Sequence, residues 1–74
     1  MITDSMRQAF YEGRRSPALP LIVNDAVTIV GGERIGSFAA IISPEAPQPE
    51  ARYLVEYTDG SSEVRLLREL RRVE

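Results

Sequence analysis

Residues 27–42 read VTIVGGERIGSFAAII. Val27 and Ile29 alternate with Thr28, which predicts a strand over 26–30 with one apolar face. Gly31-Gly32 breaks it. The loop Gly31-Gly32-Glu33-Arg34-Ile35-Gly36 carries three glycines, the residue suited to turns of positive φ. Residues 37–42 predict a second strand, apolar on both faces through Phe38, Ala39, Ala40, Ile41 and Ile42. A strand buried on both sides needs a second cover, and an N-terminal helix is the natural candidate.

Downstream, residues 43–51 hold Pro44, Pro47 and Pro49. Proline cannot donate to a ladder, so an exposed, extended, mobile loop is expected there. Residues 52–58 predict a third strand with Tyr53, Val55 and Tyr57 on one face. Asp59-Gly60 signals a hairpin, with a fourth strand at about 62–67. A two-residue turn sets Val55 against Val64 and Tyr53 against Leu66, but also Glu56 against Glu63. A four-residue loop sets Tyr57 against Val64 and Glu56 against Arg65. Both keep the same side chains inward. The expected core is therefore Val27, Ile29, Ile41, Tyr53, Val55, Tyr57, Val64 and Leu66. At residues 67–73, Leu66, Leu70 and Val73 fit helical spacing. A 3₁₀ turn over 67–70 and a last strand over 71–73 fit equally, and suit a small barrel that needs a closing strand.

Upstream, residues 5–11 predict a short helix, with Ser5 as cap and Gln8 completing a capping box. Met6, Ala9 and Phe10 form one apolar stripe, and Gly13 is a stop signal. Too short to be stable alone, this helix is a lid on an open end of the core or, alternatively, a partner-binding helix. Residues 14–20 form a linker stiffened by Pro17 and Pro20. Residues 21–23 suit a lead-in strand, and Asn24-Asp25 a turn. The expected organisation is one structural domain: helix and linker over 1–20, barrel over 21–74.

At 74 residues the core is small and stability marginal. A net charge of −2 argues against whole-molecule attraction to nucleic acid or anionic membrane. The sequence has no Cys and no His, so thiolate chemistry and the commonest metal ligand and general base are excluded. Catalysis, cofactors, metals and a small-molecule substrate are accordingly not expected. The apolar runs are too short to span a membrane, and Asp4 sits where a signal peptide would be basic; a cytoplasmic protein is expected.

Gly31-x4-Gly36-Ser37 superficially resembles a phosphate-binding loop, but its Lys is missing and a strand, not a helix, follows. Tyr53 and Tyr57 alternate with Val55 and read as core before they read as an aromatic cage. The carboxylates are scattered, with no metal-loop spacing. Arg65, Arg68, Arg71 and Arg72 are the one basic concentration. They suit a solvated face or contact with phosphate, and Arg34 could extend the patch.

Residues 27–42 resemble a KOW motif: a strand, then Gly32, Gly36 and Ile41 at the motif's places, with Ala39 where its third glycine stands. The stretch YLVEYTDGSSEVRLLRELRRV resembles the second half of an SH3-like barrel of the KOW and Tudor-like group. The resemblance covers residues 24–73 and implies a mainly β fold, a five-stranded antiparallel SH3-like barrel with a short N-terminal helix. Such domains bind RNA, or the proteins of translation and transcription machines. Here the loop offers Glu33 beside Arg34, which leans toward a protein partner. The implied role is a non-catalytic interaction or scaffold module, monomeric or weakly dimeric. Binding of RNA or a ribonucleoprotein through the Arg-rich end, or service as an accessory subunit of an enzyme, are the alternatives. Arg34, Arg65, Arg68, Arg71 and Arg72 are the candidate binding residues.

Overall fold

The computed structural model describes residues 1–73. One helix, α1 (Asp4–Tyr11), precedes five strands: β1 (Ala26–Ile29), β2 (Phe38–Ala46), β3 (Arg52–Tyr57), β4 (Ser62–Leu66) and β5 (Leu70–Arg72). A single 3₁₀ turn, η1 (Leu67–Glu69), joins the last two strands. All pairings are antiparallel, in one sheet of order β4-β3-β2-β1-β5. The sheet is open: β4 and β5 are its two edges.

Those edges are nonetheless adjacent in sequence. Flat, they would lie about 19 Å apart at ~4.8 Å per strand, whereas three residues of 3₁₀ helix rise only ~6 Å. The sheet therefore curls. Strand β2 supplies the bend through two register shifts, between Ile41 and Ser43 and between Pro44 and Ala46. Extra residues of this kind bend a strand and increase its twist. They also accommodate Pro44, which lies opposite Tyr53 inside the strand. The expectation of a loop starting at residue 43 is thus corrected: proline is tolerated at a bulge, and only residues 47–51 connect β2 to β3.

The concave side of the curl holds the core. Val27 and Ile29 of β1, Ile41 of β2, and Tyr53 and Val55 of β3 are fully buried, and Tyr57 nearly so. Alternation along each strand predicts these residues. Helix α1 closes the core from one side. Phe10 is fully buried and stacks on Tyr53, ring centroids 6.2 Å apart. The helix is a lid, but it lies on the Tyr53 side and not on the second face of β2 as expected. Its cap also differs. Thr3, with extended backbone, accepts the Met6 N–H at 3.1 Å, and Ser5 falls within the first turn. Gly13, at φ +80°, ends the helix as expected, letting Arg14 N–H reach the Ala9 carbonyl at 2.8 Å and Gly13 N–H the Phe10 carbonyl at 3.3 Å. This double closure satisfies two of the helix's orphan carbonyls.

The segment expected as a plain linker contributes Leu19 to the core, and Leu21, expected to open a lead-in strand, is buried too. Leu21 N–H donates to the Tyr53 hydroxyl at 3.1 Å. No strand forms over 21–23. Asn24 at φ +67° and an Asp25 N–H to Ile22 carbonyl bond turn the chain into β1. Asp25 is held by both guanidinium branches of Arg15, at 2.6 and 2.9 Å.

The β3–β4 hairpin takes neither expected register. Gly60 N–H donates to the Tyr57 carbonyl, Tyr57 N–H to the Ser61 carbonyl, and Gly60 sits at φ +90°. This is a three-residue loop, Thr58-Asp59-Gly60, in which a turn is followed by a left-handed glycine. Leu54 consequently faces Val64, and Tyr53 faces Arg65. An odd loop shifts the pairing by one residue, and a shift of one exchanges the faces of a strand. Val64 and Leu66 are corrected out of the core: Val64 is 49% exposed and Leu66 half-buried. Arg65 takes the inward position.

Replacing Phe10 by Ala removes the lid's anchor. Such truncations cost about 3–5 kcal/mol, against a total stability of roughly 4–11 kcal/mol for a chain of this size. Urea unfolding should show Phe10→Ala largely or wholly destabilised. Phe38→Ala, at a site 58% exposed, should stay within about 0.5 kcal/mol of the parent.

Candidate functional site

Arg65 is 6% exposed, and each branch of its guanidinium has a partner. Nε donates to the Tyr57 hydroxyl at 2.9 Å and to Glu63 Oε2 at 2.8 Å. Nη1 donates to the Gly31 carbonyl at 3.3 Å, and Nη2 to the Glu33 carbonyl. Glu69 Oε2 lies 3.5 Å from Nη1. The Tyr57 hydroxyl in turn donates to Glu63 Oε2. One side chain of edge strand β4 thus holds the β1–β2 loop, the end of β3 and η1. The planar fork of arginine suits this work, because it offers five N–H donors in fixed directions.

Gly32 makes room for it. Gly32, at φ +79°, packs so closely that a Cβ would lie 2.5 Å from Glu69 Oε2 and 2.7 Å from Arg65 Nη1. Glu69 also accepts the Leu66 N–H at 3.1 Å, fixing the entry to η1. Gly32, which reads from the sequence as loop punctuation, therefore serves a side-chain cluster.

Above this layer sits Arg34, the tip of the β1–β2 loop, itself at φ +69°. Its guanidinium carbon lies 3.7 Å from the Tyr57 ring centroid. It also donates to Asp59 Oδ2 and Ser61 Oγ, each at 3.0 Å. Cation–ring attraction and an ion pair together tie this loop to the hairpin. Both faces of an aromatic-cage reading are then closed: Tyr57 lies under Arg34, and Tyr53 is fully buried beneath Phe10.

The charges respond accordingly. The Ser61 hydroxyl, the Ser61 N–H and Arg34 hold the Asp59 carboxyl down at about 2. The Tyr57 hydroxyl and Arg65 hold Glu63 below the usual carboxylate range. Burial, then the bond to Glu63, raises Tyr57. Burial opposes ionisation of Asp25, yet Arg15 and the Ile22 N–H outweigh it, and its carboxyl too is lowered.

The five candidate arginines do not form one surface. Arg34 and Arg65 meet around Tyr57 but are turned onto the protein's own groups. Arg68, on η1, is exposed and lies 3.3 Å from Glu50 of the 47–51 loop. That pair joins the walls of a cleft lined by Pro49, Ala51, Leu66 and Leu67. Arg71 and Arg72 are exposed on β5 opposite Thr28 and Val27, so as neighbours in a strand they address opposite faces of the sheet.

What the sequence reading missed is the convex face. Phe38 is 58% exposed, beside Ala40 and Ala26, with Glu56 and Thr58 across a shallow hollow. The signal was present: Phe38 and Ala40 share a face opposite to Ala39 and Ile41. A run apolar on both faces reads as burial on both sides. Among the described residues no helix is long and apolar enough to cross a membrane. Comparison of the chain with protein-family models, with curated proteins and with solved structures gave no match.

Three outcomes are expected. Arg65→Met fills the volume but leaves the Gly31 and Glu33 carbonyls without their donor and Glu63 and Glu69 without their cation. Losing charge-assisted bonds at a buried site should lower stability by about 2–3 kcal/mol, a fall of roughly 10–20 °C in Tm, measurable by thermal circular dichroism. For Asp59, a folded pKa below the ordinary value means a stabilising contribution fully present above about pH 4. It is lost as pH falls through about 2. Between pH 4 and 2, Asp59→Asn should therefore show a shallower loss of stability than the parent. Carboxyl NMR titration of Ser61→Ala should find the Asp59 midpoint moved up toward 3.8.

Proposed function

We propose that the chain is a non-catalytic recognition module on an SH3-like barrel, taking a protein partner in an assembly of the translation or transcription type. The barrel reading rests on the strand order, on the single 3₁₀ turn between the two edge strands, and on Arg65 bridging β4 to the β1–β2 loop. The KOW-like glycine spacing agrees with it, since Gly32 and Gly36 both adopt positive φ.

The observation that carries a protein over RNA is the use made of arginine. Arg14, Arg15, Arg34, Arg65 and Arg68 each pair with a carboxylate of the same chain. Phosphate binding depends on cations that can release counterions on contact; Arg15, Arg34 and Arg65 are held closely by groups of their own chain, while Arg14 and Arg68 form exposed pairs. The convex face instead presents an exposed aromatic residue, the type enriched where proteins meet. The same cluster is unsuited to acid catalysis. Its perturbed carboxylates are held ionised, the reverse of what a general acid near neutral pH needs.

The test has two arms. Titration with total cellular RNA at 50 and 200 mM salt should show no salt-steep binding. An interface with six phosphate contacts would instead lose about 10³ in affinity over that range, and such a loss, abolished by neutralising Arg68 and Arg71, would overturn the reading. In affinity capture, a protein retained by the parent should be lost by Phe38→Ser, which leaves the core untouched.

A further inference from the structure

We propose that Asp59-Gly60 is a latent modification site: the folded hairpin keeps it unreactive, and a chain that opens there isomerises to an isoaspartyl form that no longer fits the turn. The reaction needs no partner. The Gly60 nitrogen attacks the carboxyl carbon of the Asp59 side chain. A C–N bond forms, a C–O bond breaks, and the amide proton leaves with the carboxyl's hydroxyl as water, giving a cyclic succinimide. Water then adds to one of the two ring carbonyls and a ring C–N bond breaks. Opening on one side restores aspartate; opening on the other routes the main chain through the Asp59 Cβ. Glycine favours the attack because no Cβ of its own shields the nitrogen.

The folded chain withholds both reacting groups. Gly60 N–H is engaged, donating to the Tyr57 carbonyl at 3.0 Å. Asp59 Oδ1 accepts the Ser61 N–H at 2.9 Å and the Ser61 hydroxyl at 2.6 Å, and Oδ2 accepts the Arg34 guanidinium at 3.0 Å. Hydrogen bonds of this kind favour the ionised carboxylate, whereas the hydroxyl that must leave belongs to the protonated acid. With both oxygens fastened, the carboxyl cannot turn onto the Gly60 nitrogen unless these bonds break. Arg34 is itself seated over the Tyr57 ring, which keeps the fastening in place. Burial is not what protects the site, since the Asp59 side chain is 59% exposed and open to water. Protection therefore lasts only while the hairpin is closed, and local opening removes it.

The product would not rebuild the turn. An isoaspartyl link adds one atom to the main chain between Asp59 and Gly60 and leaves the α-carboxylate as the side group. Closure of the loop depends on Gly60 N–H reaching Tyr57 with Gly60 at φ +90°. Lengthened, the loop loses that bond and moves the carboxylate away from Ser61 and Arg34. The same closure sets Arg65 opposite Tyr53, from where it holds the Gly31 and Glu33 carbonyls. Isomerisation at the tip is thus transmitted to the β1–β2 loop. The inference does not depend on what the chain binds.

The test incubates the chain at neutral pH, native and in concentrated urea, and follows the tryptic peptide 53–65 by chromatography and electron-transfer fragmentation. The native chain should isomerise about tenfold or more slowly, because reaction through an opened state tracks the population of that state. Equal rates would overturn the proposal. Ser61→Ala removes one of the bonds to Oδ1, so it should raise the native rate and leave the rate in urea unchanged. A native rate that Ser61→Ala does not move would overturn the assignment of protection to these bonds. The isoaspartyl chain, purified and returned to buffer, should melt about 5 °C or more below the parent; a parental Tm would overturn the claim that it no longer fits. The comparison of native and unfolded parent needs no variant, so a Ser61→Ala chain that fails to fold still leaves the question decided.

Discussion

A guanidinium held inside a marginally stable protein is the constraint on which the rest of this fold depends. The sheet has two unpaired edges and a connection too short to leave them apart. Hydrophobic burial pulls the sheet into a curl, but burial has no direction and does not fix how the ends meet. Arg65 supplies the direction. Its donors point at two loop carbonyls that no strand satisfies, and those carbonyls belong to the turn that begins β2. A buried cation is tolerated only when paired and fully bonded. Glu63, Glu69 and the Tyr57 hydroxyl meet that requirement together, which makes the cluster a unit.

Much of the architecture was legible from side-chain periodicity. Val27 with Ile29, and Tyr53 with Val55 and Tyr57, alternate so plainly that strand and face follow together. The final 3₁₀ turn and strand follow from the need for a closing strand, which decides against the helical spacing of Leu66, Leu70 and Val73. The misreadings share a physical cause. Pro44 reads as part of an exposed loop over 43–51, yet a bulge lets the chain pass proline without losing its partner. Leu19 reads as linker and Leu21 as the start of a lead-in strand, since no local pattern says that an irregular segment packs inward. The hairpin was weighed between two even loops, while the left-handed Gly60 admits the odd one lying between them.

The candidate site was legible as residues and not as a place. Arg34 and Arg65 do converge, but on Tyr57 and not on solvent. Nothing in a one-dimensional pattern distinguishes an arginine that serves the fold from one that serves a ligand. The distinction arises from the face of β4, which the loop length sets. Phe38 escaped for the complementary reason: an apolar run suggests burial on both sides, and only the position of the helix shows that one side has no cover.

The turn at Thr58-Asp59-Gly60 carries one more consequence. Surface loops of small domains usually accept a gained or lost residue with little harm, since closure entropy changes slowly with length. Here the residue count acts as a parity setting. One residue more or fewer would turn the following strand inside out, sending Val64 and Leu66 inward and expelling the cation that joins the edges. Divergent versions of this protein should accordingly vary in the chemistry of that bend while keeping its length odd.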